Sequence, residues 1–249
     1  MKRSFYDFPA LYDAIHLPDT PVEALAAWAL IERHHGGARH LLEPGCGTGR
    51  FLSYFARRGL TVTGYDTNAR ALAFARRRLR REAAVIVKSS MTSFRRPNSF
   101  DAAYCLIGTF RHLLTERDAI RHLRLTAEAL KPGGVYVVGL DLVDYTDCPA
   151  DEEGWEVRVK NRRLRHLYMT IPPRKRRRLE RIINFVTVST SRGDRILQDD
   201  YDLRSYDLVQ WKALLSQTPL RLAGTYTAGG RPLRLSRRTR YALFALIKA

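Results

Sequence analysis

The sequence predicts an α/β chain in which a doubly wound, mostly parallel sheet is followed by an antiparallel meander. Three observations carry that expectation. Short apolar runs alternate with helical periodicity across residues 40–140. A glycine-rich turn joins the first of those runs to the helix after it. Past Asp151 the apolar period drops to two, with no helix between the runs. Strands separated by helices pair in parallel through right-handed crossovers, which place helices on both sheet faces. Ligands then belong at the carboxyl ends of the strands.

The elements follow in order. Residues 20–35, TPVEALAAWALIERHH, open with a Thr-Pro helix start and keep apolar side chains at helical spacing. His40–Glu43 is a short strand running into the glycines, and Arg50–Arg58 resumes helical spacing. Thr61–Asp66 is the second strand, Asn68–Glu82 an arginine-faced helix, and Ala84–Lys88 the third strand. Ser99–Leu106 is the fourth strand. Thr115–Leu130 is a long helix ending at Lys131-Pro132-Gly133-Gly134, before a fifth strand at Val135–Leu140. The meander strands are Trp155–Lys160, Leu164–Ile171, Leu179–Val188 and Arg195–Leu203, and 172–178, PPRKRRR, forms a solvated hairpin tip. A helix at Leu208–Ser216 and closing strands at Leu220–Tyr226 and Tyr241–Lys248 complete the pattern.

With 249 residues, 45% of them hydrophobic, the chain supports one sizeable core, and residues 1–249 are read as a single domain. No apolar run reaches the length of a membrane helix. The N-terminal MKRSFYDFPALYDAIHL has a basic start but no apolar core or cleavage site of a signal peptide. The cysteines, Cys46, Cys105 and Cys148, are odd in number and have no CxxC or metal-ligand spacing. A reducing cytoplasm, no membrane and no metal are the expectations. The net charge of +18 draws anions, nucleic acid among them. Its arginines are spread along the chain, with clusters at Arg76–Arg81, Arg162–Arg165 and Arg174–Arg178. The excess reads either as an arginine-rich coding habit or as a polyanion-binding surface.

The informative motif is Leu41-Leu42-Glu43-Pro44-Gly45-Cys46-Gly47-Thr48-Gly49. Glycine tolerates positive φ and puts no Cβ between backbone amides and a ligand. The turn also opens a helix, whose N-terminus faces the same ligand. The dinucleotide fingerprint G-x-G-x-x-G/A needs a small residue where this chain has Arg50, and the third glycine comes one place early. Glu43 would repel a pyrophosphate and suits a cationic or amino-bearing ligand. Asp66 ends the second strand about twenty residues later, where a carboxylate accepts hydrogen bonds from ribose hydroxyls. A helix cap is the plainer reading of an acid at that place.

These residues, with Phe100-Asp101-Ala102 and Leu130-Lys131-Pro132-Gly133-Gly134, resemble the class I S-adenosylmethionine-dependent methyltransferases. The resemblance implies a Rossmann-like methyltransferase fold, a doubly wound seven-stranded sheet with an antiparallel last strand. It also implies S-adenosylmethionine as cofactor. Glu43, Gly45, Cys46, Gly47, Thr48 and Gly49 would line its methionine and ribose parts, with Asp66 holding the ribose and Thr67 and Cys105 completing the contacts. Ser90 and Met91 fall where the adenine would lie, and the acidic residue many members carry there is absent. A closer likeness is to small-molecule N-methyltransferases of the amino-sugar and glycine/sarcosine kinds. It rests on Phe5-Tyr6-Asp7, Tyr12-Asp13, the segment Ala103–Phe110 and the inserted meander. In such enzymes an N-terminal helical lid, here 1–35, closes the site, and the meander, here 151–206, roofs the acceptor pocket.

Methyl transfer to an N or O atom of a small molecule is therefore expected, by in-line displacement that needs positioning more than acid–base chemistry. His112 is the candidate base if the acceptor must lose a proton, or else a packed histidine. Tyr6 and Tyr12 are candidate lid residues or core aromatics. Arg204 and Tyr206 either face the pocket or finish a solvated strand. The absence of an Asn/Asp-Pro-Pro-Tyr/Phe segment after the fourth strand argues against base N-methylation in nucleic acid, and Cys148 is badly placed for cytosine C5 chemistry. RNA methylation by another route, favoured by the charge, and a non-catalytic cofactor- or RNA-binding role remain the alternatives. The oligomeric state has no signature in the sequence.

Overall fold

Leu41 and Leu42 are neighbours pointing to opposite faces of their strand, and neither has any solvent exposure. Only a strand covered on both sides gives that pattern. In the computed structural model, which describes residues 4–248, that strand, β1 (His40–Pro44), lies between β2 (Thr61–Asp66) and β4 (Phe100–Cys105). The sheet has seven strands in the order β10-β11-β5-β4-β1-β2-β3, with β3 at Ala84–Lys88, β5 at Leu130–Asp141, β10 at Leu220–Tyr226 and β11 at Tyr241–Lys248. Strands β1 to β5 pair in parallel, and β11 runs antiparallel to both its neighbours. The resemblance called for this antiparallel last strand.

Helices cover both faces. α2 (Thr20–His34), α3 (Arg50–Ala56) and α4 (Ala69–Arg78) pack on one side, through Leu30, Ile31, Phe51, Leu52, Phe55 and Leu72. α5 (Glu116–Ala129) and α6 (Leu208–Leu215) pack on the other, through Leu123, Ala127, Trp211 and Leu214. Alternation along β4 sends Ala102 and Tyr104 into the first layer and Ala103 and Cys105 into the second. Caps match the helix starts: Asn68 accepts from the amides of Arg70 and Ala71, and Thr115 from that of Asp118.

Most element boundaries lie within one or two residues of expectation, and those of α4 and β5 shift by more. α4 stops at Arg78, and Leu79–Glu82 form turns. β5 starts at Leu130, because Phe100 pairs with Leu130 before a register shift, and Gly133 at φ 71° absorbs that irregularity inside the strand.

A second sheet of four antiparallel strands, β6 (Asp151–Val159), β7 (Arg162–Ile171), β8 (Leu179–Thr190) and β9 (Gly193–Arg204), follows β5. The N-terminal segment forms a 3-10 turn at Phe5–Asp7 and α1 (Pro9–His16). Phe5 and Ile15 bury themselves against Val186, with Trp155 and Val157 packed alongside. Asp199 of β9 accepts from the Ser4 hydroxyl at 2.6 Å and the Phe5 amide at 2.9 Å. The first turn is thus pinned to the meander. No helix among the described residues is long and apolar enough to cross a membrane.

One glycine sets the strand-to-turn approach. Gly64 faces Glu43 across β1 and β2, and a Cβ there would meet the Leu52 side chain and come within 2.8 Å of Cys46 Cβ. Gly64→Ala should therefore destabilise the fold by about 1–3 kcal/mol, the usual cost of forcing extra volume into a packed site. Urea unfolding checks it: an unchanged midpoint would mean that Leu52 and Cys46 yield freely.

Candidate functional site

The sheet order reverses between β1 and β4, and the crevice at their carboxyl ends holds two adjoining cavities. The smaller, of about 470 Å3, is built on the turn after β1. Gly45, Gly47 and Gly49 hold φ of 67°, 50° and 69°, which only glycine adopts at little cost. Cys46 donates its amide to the Tyr65 carbonyl at 3.0 Å, and Gly47 donates to Asp66 Oδ2 at 2.9 Å. Asp66 Oδ1 accepts from the Asn68 amide at 2.8 Å. One carboxylate thus ties the glycine turn to the start of α4, while Asn68 does the helix capping. The Asn68 side-chain amide in turn donates to the Tyr6 carbonyl at 3.1 Å, which fastens the N-terminal turn over this cavity. A Cβ at Gly45 would stand 2.7 Å from Thr109 Cγ2, whereas a Cβ at Gly47 would meet nothing within 4 Å.

The larger cavity, of about 700 Å3, lies between the strand ends and the meander. Tyr6, Tyr12, Leu106, Ile107 and His112 line both cavities and so mark their junction. His112 Nε2 is 3.4 Å from the Tyr6 hydroxyl, which donates to the Tyr201 hydroxyl at 3.0 Å. Burial first, and then the Arg111 charge, lower the His112 pKa to about 4, so its ring is neutral near pH 7. Arg111 is buried between the Glu180 and Asp141 carboxylates and donates its Nε to the Arg204 carbonyl at 3.0 Å. It therefore braces the cavity wall, its charge balanced by two carboxylates.

Glu43, Gly45, Cys46, Gly47, Thr48, Asp66, Thr67, Ser90 and Met91 all line the smaller cavity, as do Tyr6, Tyr12 and His112. Four residues assigned to the site stand elsewhere. Gly49 is part of the turn itself, donating its amide to the Cys46 carbonyl at 2.8 Å. Cys105 falls on the α5 side of β4 and is 1% exposed among Tyr65, Tyr136 and Phe110. Tyr206, fully buried, packs against Phe110 and Trp211. Arg204 turns away, donating to the Leu114 carbonyl at 2.8 Å. Neither Tyr206 nor Arg204 lines either of these two cavities, because the chain leaves the meander at Arg204 and enters the layer beneath α6. The residues that sequence reasoning missed are Asn68, Thr109, Arg111 and the meander side chains Trp155, His166, Tyr168, Asn184 and Tyr201. Asn68 carried a usable signal, as an N-cap type before a helix. None of the clustered arginines Arg76–Arg81, Arg162–Arg165 and Arg174–Arg178 lines either cavity.

Glu43 is 5% exposed and accepts a hydrogen bond from the Tyr104 hydroxyl at 3.2 Å. Burial raises its pKa to about 8, with Arg50 and the Tyr104 bond pulling the other way. A buried acid in this state favours a cationic ligand, which would draw it back to the carboxylate. The folded value lies above the unfolded one of 4.5, so the stability this group contributes is complete below pH 4.5 and is lost as pH rises through about 8. Between those limits it changes stability by at most about 1.4 kcal/mol per pH unit. The ligand-free protein should therefore show a falling contribution from pH 6 to 9 that Glu43→Gln removes. Parallel melting curves for parent and variant across that range would refute the burial argument.

Residues 41–134 match the family described as a methyltransferase domain. A dTDP-3-amino-3,6-dideoxy-alpha-D-glucopyranose N,N-dimethyltransferase of Streptomyces fradiae is 35% identical over 131 residues, a match spanning 51% of this chain and 51% of that protein. The dTDP-3-amino-3,4,6-trideoxy-alpha-D-glucopyranose N,N-dimethyltransferase of Streptomyces venezuelae is 26% identical across 90% of this chain and 93% of its own. The crystal structure of Streptomyces venezuelae DesVI superimposes with a TM-score of 0.83 over the whole of both chains at 22% identity, which speaks for the fold.

Proposed function

We propose that this chain, a class I S-adenosylmethionine-dependent methyltransferase, methylates an amino nitrogen of a small hydroxylated acceptor of the amino-sugar kind. The observation that carries the reading is the junction of the two cavities at Tyr6 and His112, a cofactor-sized chamber opening onto an aromatic, meander-covered one. Both volumes fall in the range of small-molecule sites. The amino-sugar part rests on the printed activities of the two dimethyltransferase relatives, and the match to the first spans about half its length.

The residues of the smaller cavity suit S-adenosylmethionine. Glu43 gives a cationic amino acid group an acidic neighbour, Asp66 lines the cavity as a carboxylate acceptor for ribose hydroxyls, and Gly47 leaves space where a side chain would intrude. Ser90 and Met91 offer a hydroxyl and an apolar thioether for the adenine ring. When bound, the cofactor supplies a methyl group already activated by its sulfonium. The chain then has three tasks. Tyr6 and Tyr12 close the junction and keep water out, helped by the Asn68 and Asp199 tethers on the N-terminal turn. The neutral His112 ring accepts a hydrogen bond from an acceptor N–H, which holds the nitrogen lone pair in line. The meander covers the acceptor.

The test is to incubate the protein with S-adenosylmethionine and a panel of amino sugars, free and nucleotide-linked, and to follow product mass. Amine products one or two methyl groups heavier, with matching S-adenosylhomocysteine, are expected. Methylated phenols or carboxylates with every amine untouched would overturn the nitrogen assignment. In a calorimeter, both sulfur nucleosides should bind and NADH should not.

A further inference from the structure

Strand register decides which meander side chains share the face turned to the larger cavity. Trp155 stands opposite His166, Tyr168 opposite Asn184, and Asn184 opposite Asp199. Alternation along each strand adds Tyr201 to that set. Aromatic rings fill most of the face, and Trp155 stacks on His166 at 5.2 Å with Phe5 4.9 Å away on the same imidazole. Of the polar side chains sunk among them, Asp199 is engaged by Ser4 and Phe5, while His166 is 3% exposed and Asn184 2%. The latter two line the cavity.

Their mutual bond fixes the state of each. His166 Nε2 lies 2.9 Å from Asn184 Oδ1. A carbonyl oxygen only accepts, so Nε2 carries the proton. Burial disfavours the imidazolium, so the ring is neutral and its Nδ1 is a bare acceptor. His166 Nδ1 is buried without a hydrogen-bond partner among the described residues, and the buried Asn184 Nδ2 has none at full hydrogen-bond geometry, with only the Tyr201 hydroxyl beside it. A buried donor and a buried acceptor left unpaired are each costly, and a ligand that completes them recovers that loss. A hydroxyl offers both complementary functions, an O–H to donate and an oxygen to accept. The patch adjoins the transfer junction through Tyr201, whose hydroxyl accepts from that of Tyr6, which in turn lies 3.4 Å from His112.

We propose that His166 and Asn184 form a hydroxyl-recognition subsite in the meander, which takes an acceptor hydroxyl group as donor to His166 Nδ1 and a hydroxyl oxygen as acceptor from Asn184 Nδ2. The subsite makes the acceptor a hydroxylated amine with its polar edge turned to the meander and its nitrogen toward His112. It rests on the N-methyltransferase reading and narrows it, because an alkylamine of the same size would leave both buried groups unpaired. Hydrogen-bonding sites discriminate strongly against analogues that lack the matching group.

The test uses the full chain labelled with 15N-histidine and saturated with S-adenosylhomocysteine. Two probes are titrated, 3-amino-3-deoxy-D-glucose and cyclohexylamine. The His166 Nδ1 resonance should move toward the hydrogen-bonded position with the amino sugar and stay in place with cyclohexylamine. His166→Phe, which keeps a ring for Phe5 and Trp155 to pack on, should weaken the amino sugar about ten-fold, the scale of one buried hydrogen bond. It should leave cyclohexylamine and S-adenosylhomocysteine affinities unchanged. Asn184→Leu should do the same and serves if the first variant fails to fold. An Nδ1 signal that ignores the bound sugar, equal losses for both amines, or a sugar bound no better than cyclohexylamine would each overturn the subsite. If those results came with efficient methylation of cyclohexylamine, the N-methyltransferase reading would stand while the subsite fell.

Discussion

Asp66→Ala should weaken S-adenosylmethionine binding by about 100-fold, while the thermal transition survives. The carboxylate serves two masters in the ligand-free chain, the Gly47 amide and the Asn68 amide. Hydrogen bonds to a charged group are worth about 1.5–3 kcal/mol. Removing the acid leaves the glycine turn without its anchor and the ribose without its partner, and about 2.7 kcal/mol corresponds to a factor of 100. Asp66→Asn keeps the shape and one acceptor oxygen, so its loss should be intermediate, about ten-fold. Calorimetry with S-adenosylmethionine and S-adenosylhomocysteine decides it. A variant that binds both as tightly as the parent would remove Asp66 from the cofactor site and with it the ribose placement.

The turn that Asp66 anchors was legible because its requirements are backbone requirements. Positive φ at Gly45, Gly47 and Gly49 restricts the residue type wherever the turn occurs, so the spacing alone separates this site from a dinucleotide turn. The parallel strands were legible for a similar reason. A strand buried on both faces reads as an unbroken apolar run, as Val135–Leu140 does. The same double burial explains Cys105. It lies in the strand that leads to the site, but alternation turns it to the α5 layer, and no local pattern tells the two faces of such a strand apart.

The larger cavity was legible only in outline. Period-two spacing revealed four strands after Asp151, yet the lining residues come from different strands and meet through register, which is a long-range property. His166 and Asn184 are eighteen positions apart in sequence and bonded in space. Arg111 carries no local signal that sets it apart in a chain of net charge +18, and only the approach of Asp141 and Glu180 shows it to be internal. Tyr206 misled in the opposite direction. A polar aromatic at a strand end suggested a pocket wall or a solvated end, whereas the cluster of Phe110, Trp211 and Phe244 takes it into the core.

His112→Phe should lower kcat by about 100-fold, the scale of misplacing a reacting group by about 1 Å, with little change in S-adenosylmethionine affinity. The wild-type pH profile gives the sharper test. Burial and Arg111 hold the imidazole at a pKa of about 4, so it remains neutral throughout pH 5–9 and contributes no limb there. Below that range it protonates, donates where it should accept, and activity falls. With S-adenosylmethionine saturating, so that Glu43 is held as the carboxylate, a rise in rate between pH 6 and 9 comes from the acceptor amine losing its own proton, since only the neutral amine has a lone pair to offer. Two acceptors of different amine pKa should accordingly show limbs displaced by that difference. The same displacement should persist in His112→Phe at a lower plateau. A limb near pH 6.5 that ignores the acceptor and vanishes in the variant would mean that His112 titrates as an ordinary exposed histidine. The N-terminal turn would then stand open above the junction during catalysis, and Tyr6 would not be the group that shields it.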